Sequence, residues 1–71
     1  MHKTNTWAVI LTTAGRLTRT EHRSQPEAYR KIAAELKDIE NGTSRVERIR
    51  VELWDPNRGN WALYEIAYHT D

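Results

Sequence analysis

One stretch of helical periodicity, set between two pairs of alternating segments, constrains this chain more than any other feature. Ser24-Gln25-Pro26-Glu27 marks the helix start. A serine N-cap accepts a hydrogen bond from an otherwise unpaired backbone N–H, and a glutamate three residues later reaches back to the cap. Pro26 costs no helical hydrogen bond in the first turn. It disfavours helical geometry at Gln25, which leaves Gln25 as an alternative cap. Ala28, Tyr29, Ile32, Ala33, Leu36 and Ile39 then recur as one apolar stripe. Leu36 sits mid-stripe, so Leu36→Ala is expected to destabilise the fold strongly. Asn41-Gly42 ends the helix, with Gly42 as the left-handed residue after the cap.

The flanking segments alternate with period two. From Thr6 to Thr13, Trp7, Val9 and Leu11 share one face, and Ala8, Ile10 and Thr12 share the other. Apolar residues on both faces predict an inner strand or a strand covered on both sides. Ala14-Gly15 predicts a tight turn. Leu17 to Arg23 is rich in threonine and charge, which predicts an edge strand. Beyond the helix, Arg45 to Trp54 places Ile49, Val51 and Leu53 on one face and Val46, Arg48, Arg50, Glu52 and Trp54 on the other. Asp55-Pro56-Asn57-Arg58-Gly59-Asn60 is a turn-rich link. Trp61 to His69 is the last strand. Strict alternation puts Trp61, Leu63, Glu65, Ala67 and His69 on one face and Ala62, Tyr64, Ile66 and Tyr68 on the other.

This pattern predicts an α+β fold: a small two-layer ββαββ domain with a four-stranded antiparallel sheet and one helix packed on one face. The domain is expected over residues 6–70, after a frayed polar segment at residues 1–5. A chain of 71 residues buries only about 60% of the surface its unfolded form exposes. It has no cysteine, so neither a disulfide nor a thiolate metal site can staple it. Close packing or self-association are the remaining usual supplements for so small a core.

Eleven basic and ten acidic residues leave a net charge of +1, which does not point to nucleic acid. The longest apolar run, Trp7-Ala8-Val9-Ile10-Leu11, is far short of the roughly 20 residues of a membrane helix. It also lacks the architecture of a secretory signal. The expectation is a cytoplasmic protein with no membrane association.

Few residues suggest chemistry. His2, His22 and His69 have no metal-ligand spacing, so no metal or other cofactor is expected. Ser24 reads as a cap and Ser44 as a turn residue, and no nucleophile with a base emerges. Glu47 and Glu52 fall on opposite strand faces and cannot share a proton. Glu65 stands out on a largely apolar strand, and pairing with an arginine across the sheet is its expected role. Glu65 and His69 on one strand face give a third, unsupported reading as a small enzyme working at a dimer cleft. Gly15, Gly42 and Gly59 are dispersed, so no phosphate-cradling loop is visible.

One helix covers one sheet face, yet the first and last strands are apolar or aromatic on both. A patch of that kind usually marks a binding or oligomer surface. Arg48, Arg50, Trp54, Trp61, Tyr64 and Tyr68 are the candidate interaction surface, because tryptophan, tyrosine and arginine dominate interface anchors. The plainer alternative is that long arginines cover the aromatics. The sequence reads best as a non-enzymatic interaction or regulatory module, a homodimer with a protein partner, of a size that suits a phage or mobile-element accessory protein. The runner-up is a nucleic-acid-binding protein in which Arg48 and Arg50 contact phosphates and Trp54 stacks on a base.

Overall fold

The computed structural model describes residues 3–70. The elements are β1 (Trp7–Thr13), β2 (Arg16–His22), α1 (Gln25–Glu40), β3 (Arg48–Asp55) and β4 (Asn60–His69). The sheet is antiparallel with order β2-β1-β3-β4, so β1 is an inner strand and the charged β2 an edge. Of the expected frayed segment, Met1 and His2 lie outside the described residues.

The β1–β2 turn has positive φ at both central residues, 50° at Ala14 and 78° at Gly15. That geometry matches the right-handed twist of a hairpin. Glycine adopts it freely; alanine does so at a steric cost. The Ala14 N–H donates to the Glu47 carboxylate, which ties the turn to the segment before β3.

Ser24 is the N-cap and accepts from the Glu27 N–H. Glu27 does not complete the reciprocal box. Its carboxylate lies 3.7 Å from His22 Nδ1 at the end of β2. The C-terminus closes as a Schellman motif. Thr43 N–H donates to Asp38 C=O and Gly42 N–H to Ile39 C=O, with Gly42 at φ 76°.

The core lies between α1 and one sheet face. Val9 and Leu11 from β1, Ile49 and Val51 from β3, and Ala28 and Ile32 from the helix form one buried cluster. Val9 is opposite Val51 and Leu11 opposite Ile49, so the register stacks apolar rungs beneath the helix. Val46 joins this cluster, although alternation placed it on the opposite face with Arg48. The reason is that β3 begins only at Arg48, so strand parity does not carry back to Val46.

Leu36 also departs from expectation, being 37% exposed. Ala28 and Ile32 are the buried residues of the helix, and Tyr29, Glu35 and Ile39 are half-buried. Glu35 takes the inward position one residue before Leu36, where its carboxylate accepts from the Ser44 hydroxyl at 2.7 Å. Leu36 and Ala33 are exposed, while Tyr29 and Ile39 stay partly buried against the core.

Strict alternation fails in β4 as well. The β3–β4 register shifts between Ile49 and Arg50 and again between Val51 and Glu52. Ala67 and Tyr64 are the extra residues at these two bulges, and each bulge reverses the parity of the residues beyond it. Glu65 therefore faces the helix, opposite Val51, while Ile66 faces away, opposite Arg50.

Candidate interaction surface on the open sheet face

The uncovered face is built from every residue that the register sets against the helix side. β1 contributes Ala8, Ile10 and Thr12, and β2 contributes Leu17, Arg19 and Glu21. β3 contributes Arg48, Arg50, Glu52 and Trp54, and β4 contributes Trp61, Leu63, Ile66 and His69. Leu17, Leu63 and Ile66 are 69%, 51% and 41% exposed there.

The centre of this face is roofed by charge. Ala8 is opposed by Glu21 and Glu52, and Ile10 by Arg19 and Arg50. Both apolar residues are buried although no helix covers them. Glu52 accepts from Arg19 Nη1 at 2.9 Å and from Arg50 Nε at 2.9 Å. Arg19 also lies 3.4 Å from Glu21. The aliphatic stems of these long side chains shield the apolar floor while their heads remain in water. At this exposure each ion pair contributes at most about 1 kcal/mol.

The aromatic end of the face is similarly occupied. Trp54 and Trp61 are opposite each other and pack edge to face, with ring centroids 5.4 Å apart. The Arg19 guanidinium lies 4.6 Å from the Trp61 ring centroid. Lys3 Nζ lies 5.0 Å from the Trp54 ring and 5.3 Å from the Trp61 ring. A nucleobase stacking on Trp61 would have to displace these cations.

The other end of the face is less occupied. Ile10, Thr12, Leu17, Arg19, Arg48, Arg50 and Glu52 line a shallow concavity of about 480 Å³. Arg48 borders it between Thr12 and His69 and has no salt-bridge partner among the described residues. Its guanidinium is available to a carboxylate or phosphate brought by another molecule.

The six candidates from the sequence divide between the two faces. Arg48, Arg50, Trp54 and Trp61 stand together on the open face. Tyr64 and Tyr68 stand on the helix side. Tyr68 packs against the core. Tyr64 packs edge-on against Trp7 with centroids 4.8 Å apart, and its hydroxyl accepts from Gln25 Nε2 at 3.2 Å. Glu65 pairs with no arginine among the described residues; it accepts from the Tyr29 hydroxyl. Glu65 and His69 fall on opposite faces because of the bulge at Ala67, so they form no dyad within the chain.

Sequence reasoning missed Leu17, Arg19, Leu63 and Ile66 as one surface. The two bulges contain no glycine to announce them. The available signal was the charge of Glu65 between Leu63 and Ala67 in the row Trp61, Leu63, Glu65, Ala67 and His69, a conflict that a parity reversal removes. Among the described residues no cluster of histidine, aspartate and glutamate is arranged to hold a metal, and no helix is long and apolar enough to cross a membrane. Comparison with protein-family models, with curated proteins and with solved structures returned no match.

Proposed function

We propose that this protein is a small non-enzymatic interaction module of the cytoplasm, which self-associates through its sheet and offers the rest of the sheet surface to a protein partner. The observation that carries this reading is the uncovered side of the sheet. Leu17, Leu63 and Ile66 remain exposed there on a chain of 71 residues with no disulfide to compensate for a small core. The open concavity beside Arg48 suits a partner surface that presents a carboxylate next to an apolar side chain, since the exposed Leu17 lines the same concavity as Arg48.

Analytical ultracentrifugation over a roughly hundredfold concentration range tests self-association, because mass action makes the oligomer fraction depend on concentration. A dimer that dissociates on dilution supports the reading. A monomer mass at every concentration removes it. For the partner, Arg48→Ala is expected to weaken capture of an acidic protein ligand while leaving the far-UV spectrum and dimer mass unchanged.

A further inference from the structure

Ile10 and Thr12 lie in the middle of the open face, and the register flanks them with longer side chains on both sides. On β2, Leu17 is opposite Thr12 and Arg19 opposite Ile10. On β3, Arg48 is opposite Thr12 and Arg50 opposite Ile10. The result is a trough along β1, the concavity of about 480 Å³ described above. That size lies within the usual range of small-ligand sites, roughly 300–1,000 Å³. The ion pair from Arg19 on β2 to Glu52 on β3, 2.9 Å long, crosses β1 and closes one end. No such bridge spans the other end, beside Thr12 and Arg48, among the described residues.

The charges of the trough do not balance. Three arginines line it against the single carboxylate of Glu52. Glu52 spends one oxygen on Arg19 Nη1 and the other on Arg50 Nε. Outside the trough, Glu21 lies 3.4 Å from Arg19 and 3.9 Å from Lys3; Glu21 and Lys3 offset each other and leave the surplus as it is. Glu47 precedes Arg48, but its carboxylate accepts from the Ala14 N–H at the β1–β2 turn and does not line the trough. Among the described residues the whole fork of Arg48 is unpaired, and Arg50 uses only its Nε.

We propose that this trough binds a phosphomonoester attached to a small apolar body. The phosphate sits over Thr12, between the fork of Arg48 and the Nη groups of Arg50, and the apolar body covers Leu17. Charge selects the head group. A phosphomonoester carries roughly −1.5 to −2 at neutral pH, which answers the excess of arginine over carboxylate; a carboxylate carries a single charge and answers half of it. Guanidinium forks also bind phosphate oxygens in pairs. Arg50 is already held by Glu52, so less side-chain freedom is lost when its Nη groups engage a ligand. The body is selected by Leu17, whose side chain is 69% exposed and gains nothing from a bare ion. One phosphate occupies both free arginine groups, so the trough is not the continuous basic groove that single-stranded nucleic acid requires. This inference goes beyond the protein contact proposed above, with which such a ligand competes for Arg48. It needs no second copy, because one chain supplies every lining residue.

An NMR titration of the isotope-labelled chain with phenyl phosphate tests it, read from the backbone amides and the arginine Nε groups. Saturating shifts are expected at Thr12, Leu17, Arg48 and Arg50. Inorganic phosphate, which lacks the apolar body, and benzoate, which lacks the second charge, should each bind at least about threefold more weakly. Arg48→Ala should lower the affinity for phenyl phosphate at least about tenfold, whereas Arg30→Ala, on the exposed surface of the helix, should leave it unchanged. Leu17→Ser should remove the preference for phenyl phosphate over inorganic phosphate without weakening the latter. Arg48 and Leu17 are exposed, so neither change threatens the fold. A phosphotyrosine peptide that binds more tightly than phenyl phosphate assigns the group to a phosphorylated protein segment, and one that binds more weakly assigns it to a free small molecule. Shifts that never saturate, or equal losses in Arg48→Ala and Arg30→Ala, mean diffuse attraction to a basic surface and overturn the site. Benzoate binding as tightly as phenyl phosphate overturns the phosphomonoester and leaves the trough to a partner's carboxylate.

Discussion

Replacing Ile32 and Leu36 separately by alanine distinguishes two ways of orienting the same helix. Both residues belong to one apolar stripe by spacing, one turn apart. Ile32 is 3% exposed and packs among Val9, Leu11, Val46, Ile49 and Val51. Removing three carbons at about 0.8 kcal/mol each forfeits roughly 2.4 kcal/mol of transfer free energy. The cavity left among well-packed neighbours brings the expected cost into the range of about 2–5 kcal/mol. A domain of 71 residues has roughly 4–11 kcal/mol of stability in total, so Ile32→Ala removes a large fraction. Leu36 already contacts water over more than a third of its surface, and its truncation leaves no closed cavity. We expect Leu36→Ala to cost about 1 kcal/mol. At roughly 4–8 °C per kcal/mol for a domain of this size, thermal melts should show a loss of at least about 8 °C for Ile32→Ala and roughly half that for Leu36→Ala. Both melts need the same protein concentration, because a dimer makes the midpoint concentration-dependent. Equal losses would mean that Leu36 faces the core and that Glu35 does not hold the inward position beside Ser44.

Three other outcomes are expected from the fold and its open face. Ala14→Asn should raise stability by about 0.5–1 kcal/mol, because asparagine tolerates the positive φ that alanine adopts there only at a steric cost; a lower melting temperature would contradict the turn geometry. Ser24→Ala and Gly42→Ala should each cost about 1 kcal/mol, the first through a lost cap and the second through a strained left-handed alanine; a rise in melting temperature for Gly42→Ala would contradict the Schellman closure. The parent should show no tight, salt-sensitive binding to single-stranded or duplex nucleic acid in mobility-shift assays, since Arg19 and Arg50 are paired with Glu52 and the Trp61 face is occupied by Arg19. Such binding by the parent, lost in Arg48→Ala/Arg50→Ala, would put the nucleic-acid reading first.

The element order was legible because its signals are local. Ser24, Pro26 and Gly42 bound the helix by backbone chemistry that needs no tertiary context. The alternation of β1 and β3 shows which rows meet the helix, since Val9 and Leu11 match Val51 and Ile49 in character before any register is known. What escaped the sequence were rotations and parities set by contacts distant in the chain. The apolar stripe loses Ala33 and Leu36 to solvent while Ala28, Tyr29, Ile32 and Ile39 stay at the core, and beside Leu36 the Glu35 carboxylate accepts from Ser44, nine residues on. The faces of β4 are reassigned by two bulges that no glycine marks. Those bulges move Glu65 and Ala67 to the helix side and Ile66 to the open face, whereas Trp61 already stood apart from Tyr64 and Tyr68 by simple alternation and only the cross-strand register shows that Trp61 joins Arg48, Arg50 and Trp54. Arg19 was read as an edge charge, but its reach across the sheet to Glu52 and Trp61 depends on the order β2-β1-β3-β4, which no local signal encodes.

Sedimentation equilibrium on the unmodified chain tests the central claim most directly. The chain mass is 8.4 kDa. The proposal predicts a mass twice that value at high concentration, falling toward the monomer on dilution as a two-fold pair dissociates. A single species at the monomer mass throughout would show that the exposed apolar residues of the open face and of β4 are solvated surface and that the module does not self-associate.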